Sequence, residues 1–193
     1  MSLVDLIAAA DERALAASGL ACLDRCVPLL GGDDEVLRPL WGSLSEAADP
    51  ADWSALLKEA RTVLEDAEAA AGADPAPETD DEPVVLARRM LQDAPADRTG
   101  DALRAWAHTC SAASLRVHAL LDPAEDPAPV DDRRAGRTDD MPPLVAAELR
   151  RQAVVLDVLA EHGPAGLRRA LEVTVEGRRV LRAVVSRRAR GRG

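Results

Sequence analysis

Apolar residues between Leu3 and Leu30 recur every three or four positions on two adjacent faces of one helix. One face carries Ala16, Leu20, Leu23, Val27 and Leu30. The adjacent face carries Leu15, Gly19, Cys22, Cys26 and Leu29. An apolar surface this wide predicts a helix packed against neighbours on two sides. We therefore expect a central helix here, with a bend or break at Gly19 or Pro28 and an end at the glycines 31 and 32.

Acidic residues mark the next two helix starts. In the sequence GGDDE, Asp33 and Asp34 can cap a helix whose inner face includes Leu40 and Trp41. Further on, Asp49 precedes Pro50, an order typical of a helix start. The helix that follows carries one apolar stripe, made of Trp53, Leu57, Ala60, Leu64 and Ala67.

Two acidic, proline-containing segments interrupt the helical pattern. Residues 71–82 and 122–141 cannot bury enough apolar surface to offset the entropy lost on ordering. We predict a disordered linker at each place. The remaining parts are an N-terminal helical part (1–70), a central helical part (83–121), a C-terminal helical part (142–188) and a basic tail (189–193). The expected fold class is all-α, a bundle of six to seven helices.

Residues 164–188 admit three interpretations. A helix-turn-helix would turn at Glu172, but Gly177 weakens the recognition helix and Arg178 stands where a buried aliphatic residue is expected. A β-hairpin fits the alternation in LEVTVEG, yet the sequence offers no other strand for it to join. We favour one continuous helix, because it can pack on the preceding helix through Leu167, Leu171, Thr174, Leu181 and Val185.

Charge is divided unevenly along the chain. From residue 142 onward there are eleven arginines and five acidic residues, whereas the first 141 residues carry 13 basic and 29 acidic ones. A basic segment can contact phosphate, so one alternative function is a DNA-binding transcriptional regulator with a C-terminal helix-turn-helix. Its phosphate contacts would be Arg178, Arg179, Arg182, Arg187 and Arg188. The acidic remainder of the chain would repel a duplex.

Codon bias weakens any functional inference from the number of arginines. The chain has no Phe, Tyr or Asn and a single lysine, Lys58. These residues share AT-rich codons, which indicates a GC-rich bacterial genome of the actinobacterial kind. Arginine in place of lysine is therefore no sign of bidentate phosphate recognition.

The sequence contains no recognisable catalytic motif. Phosphate-binding glycine loops, nucleophile elbows and His-Glu zinc helices are absent from it. Cys22 and Cys26 share a helix face, and His108 or His118 could complete a soft-metal site there. The short Cys-x-x-Cys chelate is missing, however, and buried structural thiols fit better. The consecutive acids of GGDDE fan outward, which favours a cap over a magnesium site. We expect no catalytic residue, no metal and no cofactor.

The three tryptophans are the candidate recognition residues. Trp41, Trp53 and Trp106 lie on predicted apolar seams, and in a chain without other aromatic residues they are the natural anchors for a partner helix or an apolar ligand. The expected function is a non-enzymatic regulatory or adaptor role, exercised through contacts with another protein. Homo-oligomerisation is left open. A small apolar ligand-binding helical protein or an all-α enzyme is the third alternative.

The sequence predicts a cytoplasmic location. Its N-terminus lacks the basic start of a signal peptide, and no stretch is apolar enough to span a membrane. Three cysteines without framework spacing suit a reducing compartment.

Overall fold

The computed structural model describes residues 1–49, 51–71 and 81–191, which contain helices and no β-strand. The helices are α1 (Leu3–Ala9), α2 (Glu12–Cys26), α3 (Arg38–Gly42), α4 (Asp52–Ala71), α5 (Glu82–Gln92), α6 (Gly100–Leu121), α7 (Val130–Arg134), α8 (Pro143–His162) and α9 (Leu167–Gly191). The all-α prediction is confirmed for these residues. Most of the linker predicted over 71–82, residues 72–80, lies outside the described residues, as do residues 192 and 193 of the predicted tail.

Helix α2 lies at the centre of the bundle. Its residues from Ala14 to Cys26 are all buried, and it packs against α5, α6, α8 and α9. The helix begins after Asp11, whose side chain accepts the Ala14 N–H at 2.7 Å. A 3₁₀ turn that contains Pro28 follows it, because proline has no N–H with which to continue the helix. The predicted central helix is confirmed over Glu12–Cys26. It does not extend back to Leu3, because α1 ends at Ala9 and Asp11 caps a new helix; it continues unbroken through Gly19 and ends before Pro28, not at glycines 31 and 32.

Gly19 lets α2 and α6 approach closely. A Cβ atom at this position would lie 2.5 Å from Cε3 and Cζ3 of Trp106. The indole therefore packs on bare helix backbone, while its Nε1–H donates to the carbonyl oxygen of Met90 at 2.9 Å. Glycine weakens an isolated helix, but the close packing of Trp106 requires it at position 19.

The structure confirms the continuous-helix interpretation of residues 164–188. After a short 3₁₀ turn, Gly163–Gly166, helix α9 runs without a break to Gly191. It packs on α8 and α2 through its buried residues. The turn at Glu172 that a helix-turn-helix requires is not formed, nor is a β-hairpin.

Residues 122–141 are ordered, which corrects the prediction of a disordered linker. Arg133 of α7 is 1% exposed and donates to Asp126 and to two backbone carbonyls of the same segment. Arg134 reaches back to α6, where its Nη2 lies 2.8 Å from Nδ1 of His108. Two buried guanidinium groups, and not an apolar core, keep this segment ordered. Its amino-acid composition alone therefore does not indicate order.

Substituting Gly19 tests the close approach of α2 and α6. We expect Gly19→Ala to lower the free energy of unfolding by about 1–3 kcal/mol, because the new methyl group overpacks Trp106. Helix propensity alone would predict the opposite sign. Gly42→Ala is the matched control, since a Cβ there meets no atom within 4 Å. Urea unfolding of both variants measures the difference, and a Gly19→Ala protein as stable as Gly42→Ala would contradict the packing argument.

Candidate functional site

A guanidinium and a carboxylate, both with no solvent exposure, meet in the core of the bundle. Arg25 of α2 donates to Glu148 of α8 from Nε at 2.8 Å and from Nη2 at 2.6 Å. The same carboxylate accepts hydrogen bonds from Ser114 Oγ at 2.7 Å and from Gln152 Nε2 at 2.8 Å. Burial alone would raise the pKa of Glu148, but the charge of Arg25 and these hydrogen bonds lower it to about 2. Glu148 is therefore ionised at neutral pH.

His118 of α6 completes this cluster of buried polar groups. Its Nδ1 lies 2.8 Å from the Ser114 carbonyl oxygen, which can only accept, so Nδ1 carries a proton. Its Nε2 lies 3.6 Å from Glu148 Oε2. Burial lowers the pKa of His118, and the opposing negative charge of Glu148, which is the next largest effect, offsets only part of this decrease. The imidazole is therefore neutral at pH 7. We call Arg25, Ser114, His118, Glu148 and Gln152 the core cluster.

A second buried ion pair attaches α9 to the centre of the fold. Asp24 of α2 accepts hydrogen bonds from Arg178 Nη1 and from Trp41 Nε1, the latter at 2.9 Å. Arg178 Nε lies 3.3 Å from Asp34, which also pairs with Arg182. Acidic residues of the N-terminal part thus neutralise two arginines of α9. Asp34, predicted as a helix cap, is an ion-pair partner instead.

The core cluster has little capacity for catalysis or metal binding. The side chains of Arg25, His118 and Glu148 are closed off from solvent, so a substrate has no route to them. The adjacent Cys22 is also buried, and burial raises the pKa of its thiol to about 12, which keeps it protonated. In the described part of the chain, no three His, Cys, Asp or Glu side chains are placed to share a metal ion.

A surface groove of about 760 Å³ lies between α1, the start of α2 and the end of α8. Its apolar lining consists of Met1, Leu6, Ala9, Ala10, Ala14, Leu156, Leu159 and Ala160. Three acidic residues, Asp11, Asp157 and Glu161, line it as well. We call this surface the α1–α8 groove. An apolar lining combined with acidic side chains suits a ligand that is both apolar and positively charged.

Two of these acids occupy an unfavourable place for helix stability. Asp157 and Glu161 are exposed and four residues apart in the last turns of α8. Like charges at this spacing repel, and negative charge is disfavoured near a helix C-terminus, each at a cost of about 0.3 kcal/mol. Helix stability alone therefore gives no reason for negative charge beside this groove.

The three tryptophans are core residues, which corrects their prediction as partner anchors. Trp41, Trp53 and Trp106 are each 5% exposed or less. Every indole N–H donates within the chain, to a carboxylate or to a backbone carbonyl. The rings of Trp53 and Trp106 meet edge to face, with centroids 6.2 Å apart. Indoles buried and hydrogen-bonded in this way offer no surface to a partner.

The arginines predicted to contact phosphate differ in their environments. Arg178 is buried and paired with a carboxylate, so its predicted role is corrected. Arg182 and Arg188 are exposed but bond to an acidic side chain and to a backbone carbonyl of the same chain. Arg179 and Arg187 are exposed. Of the five predicted arginines, four are therefore exposed, and two of these four are bonded within the chain.

Sequence reasoning missed the buried charges, although two of them leave a signal. Glu148 is in helical register with Gln152 on the inner face of α8, and Arg178 is in register with Thr174 and Leu181 on α9. A charged residue at a core position indicates a buried ion pair. Its partner depends on the tertiary arrangement, as does the α1–α8 groove, which three separate elements form.

Comparison with known proteins identifies no relative, since no protein-family model, curated protein or solved structure matches this chain. Within the described residues, no helix combines the length and the hydropathy that a bilayer crossing requires. The function must therefore be argued from the geometry of the protein itself.

The energetic role of the core cluster can be tested by removing its charges singly and together. We expect Glu148→Gln to lower the free energy of unfolding by about 3–5 kcal/mol, because Arg25 is left buried without a counter-ion. The double variant Arg25→Met/Glu148→Met removes both charges and should recover most of that loss. Urea unfolding measures each variant. Additive losses in the double variant would contradict a coupled pair.

Acidification should destabilise the protein in two pH ranges. The ordinary pKa of His118 is 6.5 and its folded pKa is lower, so only the unfolded chain gains this proton just below pH 6.5, and the free energy of unfolding falls there. The pKa of Glu148, 4.5 unfolded and about 2 folded, gives a second loss between those values. His118→Asn should reduce the first loss to the part contributed by His108, whose pKa is also lowered by burial and by Arg134, and should keep the second. Urea titrations across pH check this, and an unchanged profile in the variant would rule the assignment out.

Proposed function

We propose that this protein is a non-enzymatic cytoplasmic adaptor that binds a basic amphipathic helix of a partner protein in the α1–α8 groove. The observation that carries the proposal is an apolar groove that also holds Asp157 and Glu161, two acids placed where they weaken their own helix. The three cysteines are buried and free, which supports a reducing compartment.

The shape of the groove favours a helix as the ligand. Its wall on α8 extends from Leu156 to the turn at Gly163, about 10 Å along the helix axis at 1.5 Å per residue. Two turns of a partner helix fit against that length, with apolar residues at positions i, i+3 or i+4, and i+7. Several lining residues are alanines, and small side chains let two helices approach at the short end of the usual 8–10 Å range.

The charges of the groove favour basic residues beside that apolar face. Asp11, Asp157 and Glu161 present three carboxylates next to an apolar surface. Arginine or lysine residues that flank the apolar stripe of a bound helix can reach them, whereas acidic flanks are repelled. The groove therefore distinguishes basic from acidic amphipathic helices.

Charge reversal in the groove separates binding from folding. The probe is a designed amphipathic peptide with Leu and Ala on one face and Arg on its flanks. We expect Asp157→Lys/Glu161→Lys to weaken its binding about tenfold or more, because two attractive contacts become repulsive. The same variant should be slightly more stable than the parent, since basic residues suit the end of a helix. Peptide fluorescence anisotropy and urea unfolding measure the two effects.

The matched control is Glu65→Lys/Asp66→Lys, which changes the net charge equally on exposed positions of α4. It should leave peptide binding unchanged. A second peptide with Glu in place of Arg should bind neither the parent protein nor this control. Backbone amide shifts caused by the Arg peptide in the parent should map to α1 and the end of α8. Equal binding to both charge-reversed proteins, or no preference for the Arg peptide, would refute the proposal.

A further inference from the structure

Arg151 of α8 has a guanidinium group that forms an ion pair with no carboxylate among residues 1–49, 51–71 and 81–191. Its Nη1 is fully buried and has no hydrogen-bond partner in the described part of the chain. Glu148 and Glu176 are the acidic groups that act on it, but neither forms an ion pair with it. Glu148 is already occupied by the other donors of the core cluster. A positive charge is thus held partly out of water without a direct counter-charge.

Arg25 presents a second unpartnered donor beside it. Its Nε and Nη2 hold Glu148, whereas its Nη1 is buried and has no hydrogen-bond partner in the described part of the chain. The side chains of Arg25 and Arg151 meet at Gly177 of α9. A Cβ on this glycine would lie 2.4 Å from Cδ of Arg25 and 2.9 Å from Cδ of Arg151. Only glycine lets α9 pack over both arginines.

Arg25 is already paired with Glu148, so the charge that requires compensation is that of Arg151, while each of the two guanidinium groups keeps one buried donor without a partner among the described residues. Like charges repel more strongly at the low dielectric constant of a protein interior than in water. A buried charge is tolerated when it is both paired and hydrogen-bonded. Water can satisfy the hydrogen bonds, but an anion satisfies the hydrogen bonds and the charge together.

We propose that one small monovalent anion, chloride in the cell, binds between Nη1 of Arg25 and Nη1 of Arg151, beside Gly177. Two charge-assisted hydrogen bonds hold it at the junction of α2, α8 and α9. Arg151 is only partly buried and lies on the solvent side of this junction, whereas Arg25 is fully buried at its inner end. This site is separate from the α1–α8 groove and does not depend on the proposed function.

Bromide serves as the probe for this site. Thermal unfolding is followed in sodium bromide and in sodium gluconate at equal ionic strength. An ion that binds only the folded chain raises Tm, by about 3–6 °C for each tenfold increase in bromide above its Kd. Arg151→Met should lose this rise. Arg150→Met, which removes the adjacent exposed arginine, should keep it and controls for general salt effects.

Anomalous diffraction from the unmodified protein crystallised in bromide gives a second, independent measurement. A bromide peak between the guanidinium groups of Arg25 and Arg151 is expected. The proposal is overturned if no peak lies there, or if Arg151→Met and Arg150→Met respond equally to bromide. It is also overturned if the parent protein has the same Tm in both salts.

Discussion

The ion pair between Arg25 and Glu148 fixes how three helices meet. The carboxylate of α8 accepts hydrogen bonds from α2, from α6 and from its own helix, so both of its oxygens are occupied. Taking two charges out of water costs several kcal/mol per ion, and the attraction between them offsets this only when the geometry is good. A shift of α8 by one turn, about 5.4 Å, would break these hydrogen bonds and leave a buried charge without its counter-ion. The pair therefore selects one packing arrangement, in a core of interchangeable alanine, leucine and valine surfaces.

Buried charge performs the same role elsewhere in the fold. Asp24 holds Arg178 of α9, and Arg133 of α7 organises the segment around Asp126. The acidic residues of the first 141 positions and the arginines from residue 142 onward have opposite charges, which in the sequence suggests an external partner for α9. These charges are partly neutralised by one another inside the protein. This neutralisation also explains why α9 stays continuous and docked. Its Arg178 belongs to the core, and Gly177 keeps the helix close to the core cluster beneath it.

The sequence predicts those parts of the fold that depend on local periodicity. The apolar seams of α2, α4 and α9 are confirmed as helices, because helical register is set by neighbouring residues along the chain. The segment 122–141 was wrongly predicted to be disordered, since composition counts apolar surface and not a buried guanidinium such as that of Arg133. The tryptophans were placed correctly on apolar seams, but the depth of burial that excludes them as anchors depends on tertiary packing. The α1–α8 groove could not be predicted, because its lining residues on α8 lie more than 140 positions after those on α1 and α2.

Helix α8 carries both buried charge in the core and exposed charge at the proposed binding surface. Hydrogen bonds of Glu148 and Gln152 fix the middle of α8 in the core, and α1 packs against this helix. The groove at the C-terminal end of α8 is therefore formed by helices that are already held in position. A partner helix would then meet a largely preformed surface, which limits the ordering cost of binding. Salt screens exposed carboxylates such as Asp157 far more than ion pairs closed off from solvent. Adaptor binding should consequently respond to ionic strength over a range in which the fold itself stays intact, because the two properties rest on charges in different dielectric surroundings.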